Sequence, residues 1–375
     1  MFFLLSIVIL FPYVYLQGIT FPILSVFAIF LPFVRFSKEE IMFWGLLSVS
    51  ILLYAVGASG IIENSISLTK SLIANFLVFM LMSILVKRYK LEGDNLISLV
   101  VWVGVLNAFI SISTTLIADL RFIYDYIATN PKVFSYPIPR YPGLVYDGFS
   151  YLSVFYALIH LICMQMWLEK KVTTFRFVFT TSLMFVGIIT SGRMGLLIAI
   201  IGSIFLMLRN RSFRIGRIAF AGLIVFSGTL AASQYSSLFS DYLVWSFNAI
   251  LAFAPGNIST DTTAAELVNN HFFFIGESFT DFLFGTFDFG FPGGGYNSDV
   301  GWVRIFNGFG LIGIISVLIS TWYLSRQSIY LTIFGYVFLI GLFKDWYFLF
   351  PYYFWAVGFA LYFSIKKNNL KNERL

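Results

Sequence analysis

Three arginines beside apolar segments are the residues of this sequence best suited to chemistry. Arg193 lies between two apolar segments and has glycines close by. Arg140 precedes Tyr141-Pro142-Gly143 and a further apolar segment, and Arg304 lies early in another. A planar guanidinium matches phosphate oxygens with two parallel hydrogen bonds. Arginines that converge on one side of a membrane therefore predict a diphosphate site, for which Lys344 is a further candidate.

Each cation also has a plain structural interpretation. Arg193 can extend toward the membrane surface, whereas burying it would cost about 2.5–3.5 kcal/mol and require an anionic partner. The glycines on either side of it would let a bulky ligand approach the backbone. Lys344 can pair with the adjacent Asp345, and Arg121 and Lys132 look like ordinary loop charges.

Acids and histidines offer few candidates for proton transfer. Asp299 precedes an apolar segment, so it either caps a helix or acts as a general base toward an attacking hydroxyl. His271 is a weaker candidate for substrate binding or proton transfer, and His160, inside an apolar segment, is expected to form a hydrogen bond in the core. No ligand pair has the spacing of a metal site, and no nucleotide-binding or serine-nucleophile motif occurs. We therefore expect neither a metal nor a cofactor.

The composition predicts that these residues are positioned by membrane helices. The chain has 375 residues, of which 59% are hydrophobic and 11% charged, with a mean hydropathy of +0.87. Its apolar stretches are long enough to cross a bilayer as helices, and they lack the short alternating pattern of a membrane barrel. The net charge of +6 lies mostly in short loops, which favours an orientation signal over a nucleic-acid surface. A lone cysteine, Cys163, excludes an internal disulfide.

Apolar segments predict an all-α protein with about twelve membrane spans. The first 34 residues are interpreted as two short spans separated by Gln17-Gly18, or as one long tilted span, which would leave eleven. Further spans are predicted at 41–60, 70–86, 95–118, 148–168, 175–190, 193–208, 215–232, 301–323, 328–343 and 347–365.

The distribution of charge predicts the orientation of these spans. Most of the 24 lysines and arginines fall in alternate loops, and basic residues in short loops stay in the cytoplasm. The opposite side keeps Lys70, Arg121, Lys132, Arg140, Arg193, Arg304 and Lys344. With twelve spans both termini are cytoplasmic, and the chain forms a single membrane domain over 1–375. Two long loops, 119–147 and 233–300, then lie outside, the larger one before the third-last helix. Its phenylalanine-rich stretch 271–291 is predicted to pack at the membrane interface as a lid or re-entrant element.

At the same residues the chain resembles the O-antigen polymerase (Wzy) and O-antigen ligase superfamily of bacterial envelope glycosyltransferases. The resemblance rests on three motifs in this order, with a large outer loop before the last. They are Arg140-Tyr141-Pro142-Gly143, Thr190-Ser191-Gly192-Arg193-Met194-Gly195-Leu196-Leu197, and Ser298-Asp299-Val300-Gly301-Trp302-Val303-Arg304 running on to Gly308-Phe309-Gly310-Leu311-Ile312-Gly313.

The resemblance implies a GT-C-like helical fold in the bacterial cytoplasmic (inner) membrane. It implies transfer of a glycan from a polyprenyl diphosphate to an acceptor sugar at the outer face, without nucleotide sugar or metal, in O-antigen or related polysaccharide synthesis. Arg140, Arg193 and Arg304 would bind diphosphate, with Asp299 as base. The implied partners are lipid-linked oligosaccharide, membrane lipid and a chain-length regulator protein.

Two other functions stay open beside this one. Ligases of the superfamily carry a His-Asn pair where this sequence has Tyr296-Asn297, which favours a polymerase over a ligase. A flippase or transporter of lipid-linked oligosaccharide would also need many helices and inward-facing cations. Such carriers often have paired repeats and broken helices in the middle of the membrane, which this sequence lacks.

Overall fold

The computed structural model describes the chain in several stretches. They are 13–16, 19–22, 62–89, 91, 93–125, 134, 141–145, 150–210, 241, 272–286, 298, 300–344 and 352–372. The two strands and the outer parts of the first and last helices are described by their backbone alone.

Helices dominate these stretches. They are α1 Ile62–Tyr89, α2 Gly93–Leu116, α3 Ser150–Leu168, α4 Thr174–Ser191, α5 Arg193–Arg209, α6 Phe279–Phe284, α7 Gly301–Ser325, α8 Ile329–Gly341 and α9 Tyr352–Asn372, with a 3-10 helix at Ala118–Asp125. Within the described residues, the 4 helices α2, α3, α4 and α7 are long and apolar enough to cross a membrane. Shorter apolar helices lie at Asn75–Lys87, Ile329–Gly341 and Tyr353–Ile365. The chain is thus a helical membrane protein, as its composition predicts.

Eight predicted spans fall on observed helices. They are those at 70–86, 95–118, 148–168, 175–190, 193–208, 301–323, 328–343 and 347–365. The spans predicted at 41–60 and 215–232 lie outside the described residues, so the total of twelve stays a prediction.

The first 34 residues contain β-structure that the sequence interpretation missed. Tyr13–Leu16 and Ile19–Pro22 form an antiparallel pair in which Leu16 lies opposite Ile19. A helical span through these two stretches, whether short or long, was therefore a wrong prediction. Aromatic and β-branched residues favour strands, and hydropathy alone does not separate a short apolar strand from part of a helix.

Helix α3 is the centre of the bundle, and α4 and α5 flank it on two sides. Nearly all of its residues from 152 to 167 are buried. Helix α4 runs antiparallel to it, since Trp167 stacks on Phe177 with ring centroids 4.6 Å apart. His160 bonds to both neighbours, 3.4 Å from the Thr181 hydroxyl on α4 and 2.9 Å from the Ser203 hydroxyl on α5. The prediction that His160 forms a hydrogen bond in the core is confirmed.

A single residue, Gly192, connects α4 to α5, and its lack of a side chain lets α3 lie close to the connection. Gly192 separates the two helices in an extended conformation, and a Cβ there would lie 2.9 Å from the Ser153 hydroxyl. A Cβ on Gly195 would collide with the Ser153 carbonyl. These contacts position the start of α5 against the start of α3.

Contacts between helix termini divide the bundle into two ends. The Lys171 end contains the carboxyl end of α3 and the amino ends of α2 and α8. There Lys171 pairs with Asp94 and Glu169, each at 2.7 Å, and the Tyr330 hydroxyl donates to Glu169 at 2.8 Å. Partial burial opposes ionisation of Glu169, but hydrogen bonds from Lys171, Gln165 and Tyr330 outweigh it and lower the pKa of that carboxyl.

The opposite end, called here the Arg193 end, gathers the amino ends of α3, α5 and α7 with the carboxyl ends of α2, α4 and α8. Helices α7 and α8 are joined there by Trp302. Its backbone N–H donates to the Leu342 carbonyl and its indole N–H to the Leu339 carbonyl, both at 3.1 Å. The helices therefore alternate in direction as the charge pattern predicts, while the side of the membrane that each end faces stays a prediction.

Candidate functional site

Arg193 is the first residue of α5 at the Arg193 end. The side chain is partly buried, and the first turn is capped from α3, because the Gly195 N–H donates to the Ser153 hydroxyl at 3.1 Å. The amino terminus of a helix carries a partial positive charge, to which this arginine adds. The nearby glycines were expected to admit a ligand. They instead admit α3, since the Ser153 atoms occupy the space that side chains would need.

Arg304 lies in the first turn of α7 and is 8% exposed. Its Nε donates to the Ser298 carbonyl, and the Ser298 hydroxyl accepts from the Val300 N–H at 3.2 Å. This bond uses one of the five N–H donors of a guanidinium. Arg304 thereby fixes the chain that enters α7, next in sequence to Asp299.

Lys344 follows α8, the helix that packs between α5, which carries Arg193, and α7, which carries Arg304. Trp302 joins α8 to α7, close to Arg304. On the other side, α8 packs against α5, where Phe205 stacks on Tyr336 at 6.3 Å and Gly202 also approaches Tyr336. At the rise per residue of an α-helix, Arg193 lies roughly 14 Å along the axis from Gly202, and Lys344 lies roughly 12 Å from Tyr336. Both displacements are toward the same end of the bundle.

The structure thus brings three predicted site residues to one end of three neighbouring helices. Arg193 is on α5, Lys344 follows α8 and Arg304 is on α7. The others, Arg140, His271 and Asp299, lie outside the described residues and stay predictions. Three cations thus lie near one another at the end opposite the Lys171 end, and such a group suits an anionic ligand.

A loop at the Arg193 end enters the bundle and is held by Asn107. Residues 141–145 are all buried. The Asn107 amide nitrogen donates to the Pro142 carbonyl at 3.3 Å and to the Tyr156 hydroxyl at 2.9 Å, while its oxygen accepts from the Leu144 N–H at 2.7 Å. Asn107 is roughly 13 Å from the end of α2. Non-helical backbone is tolerated at such depth only where protein supplies its hydrogen bonds.

Hydroxyl groups complete the surroundings of this 141–145 loop. The Gly143 N–H donates to the Tyr124 hydroxyl at 3.2 Å, and that hydroxyl shares a hydrogen bond of 2.8 Å with Thr114. Burial raises the pKa of Tyr124 to about 12, so the hydroxyl stays protonated. Gly143 has φ +73, and a Cβ there would lie 2.7 Å from the Asn107 carbonyl, so the turn requires glycine.

Arg121 is a structural residue and not the ordinary loop charge that the sequence suggests. Its guanidinium donates to the carbonyls of Thr114 at 3.1 Å and Thr115 at 3.3 Å, near the carboxyl end of α2. It also lies 4.5 Å from the centroid of the Tyr141 ring. A cation at this position satisfies carbonyls that the helix leaves unbonded.

A second segment, 272–286, is held on α7 by Asn307. The Asn307 amide nitrogen donates to the Phe273 carbonyl at 3.2 Å, and its oxygen accepts from the Ile275 N–H at 3.3 Å. Gly310, with φ +63, interrupts α7. In a straight helix the Asn307 carbonyl would accept from residue 311, but here it accepts from the Thr286 N–H at 2.7 Å and hydroxyl at 3.1 Å.

Sequence reasoning missed both asparagines. The available signal was a side-chain amide, Asn107 or Asn307, inside an apolar segment, because such a group needs a hydrogen-bond partner from another element. The sequence does not reveal that both partners are loops.

No protein-family model, curated protein or solved structure matches this chain.

Proposed function

We propose that this chain is a membrane glycosyltransferase that polymerises oligosaccharide units carried on a polyprenyl diphosphate, at the outer face of the bacterial cytoplasmic membrane. The observation that carries the proposal is the positions of Arg193, Lys344 and Arg304 on neighbouring helices at the end away from most basic loops. In this proposal the chain has twelve spans in a GT-C-like arrangement, with both termini in the cytoplasm.

The proposed reaction needs charge stabilisation and one base. The acceptor hydroxyl oxygen bonds to the anomeric carbon of the donor sugar while the bond from that carbon to the diphosphate oxygen breaks. The hydroxyl proton passes to Asp299, and the departing diphosphate is bound by Arg193 and Arg304 with Arg140. Because the substrate carries its own leaving group, oriented cations and a base suffice.

Local structure around the proposed site supports binding of a diphosphate. Helices α5 and α7 both begin at the Arg193 end, so their partial positive charges add to those of the arginines. The 141–145 loop is anchored by Asn107 and Ser111, and Arg140 is the residue just before its first member, Tyr141. A buried anchor beside an arginine limits the positions that the arginine can take.

The Lys171 end argues against the transporter alternative. A carrier exposes its binding site to each side of the membrane in turn. Here Lys171 links α2 to the end of α3 through Asp94 and Glu169, and Tyr330 links α8 to the same carboxylate. Opening this end would break all of these contacts together, which supports a site open at the Arg193 end alone.

The function is tested with purified protein in proteoliposomes. The substrate is the lipid-linked oligosaccharide that accumulates in cells from which the gene is deleted. We expect a ladder of longer glycans without nucleotide and in the presence of a chelator. Movement of unlengthened oligosaccharide across the bilayer would instead support a carrier. Transfer of the oligosaccharide to a lipid A core would support a ligase. Activity that appears only after a divalent ion is restored would refute metal-free transfer.

Variants at opposite ends of the same helices test the arginines. Arg193→Ala and Arg304→Ala are expected to lower the polymerisation rate on the order of 10²- to 10³-fold, as for other preorganised donors to developing charge. The matched controls Arg209→Ala on α5 and Arg326→Ala after α7 should retain activity. Lysine in place of either arginine should restore only part of the polymerisation rate, because an ammonium group does not form two parallel hydrogen bonds to a phosphate. Near-normal chain lengths from both alanine variants at the Arg193 end would remove the diphosphate site.

The N-cap residue of α7 is Val300, so the interpretation of Asp299 as a helix cap was wrong. Asp299→Asn therefore tests catalysis, since an amide keeps the size of the side chain but does not accept the proton. We expect a severe loss of polymer at normal protein levels in the membrane. Full activity would exclude Asp299 as the base.

Cysteine labelling in intact cells tests the orientation. In a Cys163→Ala background, an impermeant reagent should label Thr262→Cys and leave Ser212→Cys unlabelled. The reverse result would overturn both the orientation and the proposed enzyme.

A further inference from the structure

We propose that the segment 272–286 is a re-entrant element whose carboxyl-terminal part lies among the acyl chains of the outer lipid leaflet. This inference does not depend on the proposed reaction, but its choice of the outer leaflet rests on the proposed orientation. It starts from the five exposed phenylalanines of this segment, of which three are about half exposed or more. Phe279 is 74% exposed, Phe284 53% and Phe272 48%. In water, so much apolar surface on a short segment would be unfavourable, whereas in lipid it is solvated.

The position of the segment along α7 sets its depth. Helix α7 has 25 residues on the two sides of the kink at Gly310 and is therefore at most about 37 Å long, about 7 Å longer than the hydrocarbon core of a bilayer. Asn307 and Gly310, which hold the segment, lie about 9 and 14 Å from the start of the helix. With α7 centred in the bilayer, they lie about 5–10 Å below the hydrocarbon boundary, which is the depth of interfacial helices.

The exposed phenylalanines continue the lipid-facing side of α7. Beyond the kink this membrane span exposes Ile312 by 47%, Ile315 by 45% and Ile319 by 59%. Phe274 and Phe282 join the segment to that helix through Phe306, with ring centroids 4.9 and 5.5 Å from it. Aromatic rings therefore form part of the junction between the segment and α7, and lipid chains that cover α7 can also contact this segment.

Acidic residues fix the tilt of α6. Its amino end carries Glu277, Ser278 and Asp281, and the last two form a capping box. A carboxylate is costly in hydrocarbon, so this end stays among the head groups. The carboxyl end reaches deeper, because the Leu283 backbone contacts Gly310 and the Gly285 backbone contacts Gly308. Depth should therefore increase along α6 from Glu277 to Phe284.

The depth is measured with single spin labels in a Cys163→Ala background, which removes the one cysteine. Labels at Glu277→Cys, Phe279→Cys and Phe284→Cys in proteoliposomes are compared for collision with oxygen, which enters lipid, and with a water-soluble nickel chelate. References are Ile319→Cys on the lipid face of α7 and Arg326→Cys in the exposed turn after it.

We expect the label at 284 to match the lipid reference, the label at 277 to match the aqueous reference, and the label at 279 to lie between them. A label at 284 that collides freely with nickel would place the segment in water. Protection from both reagents would mean that protein, a partner or a second copy, covers it. Either result would overturn the proposal.

Asn307→Leu in the labelled protein tests the anchor. The Phe273 carbonyl and the Ile275 N–H lose their partner, so the label at 284 should become more accessible to nickel, whereas Arg326→Ala should leave it unchanged. If Asn307→Leu lowers protein yield, Thr286→Val provides a milder change in the same contact, with a smaller shift expected. An unchanged depth in both variants would show that Asn307 does not set the position of the segment.

Discussion

Two asparagines hold two loops in the same way but in different surroundings. The Asn107 contact bonds the carbonyl of Pro142 and the N–H of Leu144, and the Asn307 contact bonds the carbonyl of Phe273 and the N–H of Ile275. In both, the bonded groups are two residues apart. A carboxamide presents the same donor and acceptor as a peptide group, so one side chain satisfies backbone that leaves regular structure inside a membrane protein.

The difference lies in what else covers each loop. Residues 141–145 are all buried, whereas the 272–286 segment keeps a largely exposed surface. The Asn107 amide also donates to Tyr156, so it has three partners inside the bundle. A group freed at 141–145 has no access to water, but one freed in the 272–286 segment regains water when the segment detaches. Losing the Asn107 hydrogen bonds should therefore lower the stability of the protein more than losing the equivalent Asn307 hydrogen bonds.

The largest expected effect comes from Asn107→Leu compared with Asn307→Leu. Each buried group left without a partner costs about 1–3 kcal/mol. Asn107→Leu leaves two enclosed backbone groups without this partner, the Pro142 carbonyl and the Leu144 N–H, and removes one of the hydrogen bonds of the Tyr156 hydroxyl. We therefore expect a marked fall in the thermal unfolding temperature in detergent. Asn307→Leu should lower it less. Equal losses would mean that the enclosure of the 141–145 loop does not matter.

An intermediate effect is expected from Gly143 and Gly310, two of the three described glycines with positive φ. Alanine in this conformation costs about 1–2 kcal/mol, and a Cβ on Gly310 would also lie 2.6 Å from the Gly285 nitrogen. Gly310→Ala favours a straight α7, in which residue 311 reclaims the Asn307 carbonyl and Thr286 is displaced. Limited proteolysis should then cut within 272–286, while Gly143→Ala should lower the unfolding temperature without exposing a new cleavage site. Cleavage of Gly143→Ala within 141–145, with no new cleavage in Gly310→Ala, would contradict the expected difference between the two loops.

The smallest effect is expected from removing one hydroxyl at each contact. Tyr124→Phe removes the acceptor of the Gly143 N–H in a partly buried contact, at a cost of about 1–2 kcal/mol, in the lower half of the range for a group left without a partner. Thr286→Val removes one donor to the Asn307 carbonyl but keeps the backbone donor, at a cost of about 0.5–1.5 kcal/mol. Thermal unfolding of both variants is the measurement, and a larger loss from Thr286→Val would contradict the ranking.

The positions of the main helices are predictable because hydropathy and span length are local properties. The predicted spans at 148–168 and 175–190 nearly coincide with α3 and α4, and the near absence of a loop before Arg193 is visible in the sequence. The common location of Arg193, Arg304 and Lys344 at one end follows from the alternation of helix direction.

The loops were less predictable because their contacts are distant in sequence. Asn107 meets Leu144 across 37 positions, and Asn307 meets Ile275 across 32. Apolar content predicted that residues 271–291 pack at the membrane interface, which stays a prediction, but it did not predict that the described part packs on α7. It did not predict that Arg121 bonds carbonyls of α2, because the geometry of a helix end is set by folding and not by composition.

The one-residue connection at Gly192 has a consequence for biosynthesis. With no loop between them, α4 and α5 must enter the bilayer together as a hairpin whose tip carries Arg193. In the proposed orientation, with the Lys171 end in the cytoplasm, that guanidinium crosses the membrane during insertion, and an arginine at the membrane centre costs about 2.5–3.5 kcal/mol on translocon scales. The combined apolarity of the two helices must overcome it, so an added charge anywhere on this pair would reduce the yield of inserted protein before it affected the folded state.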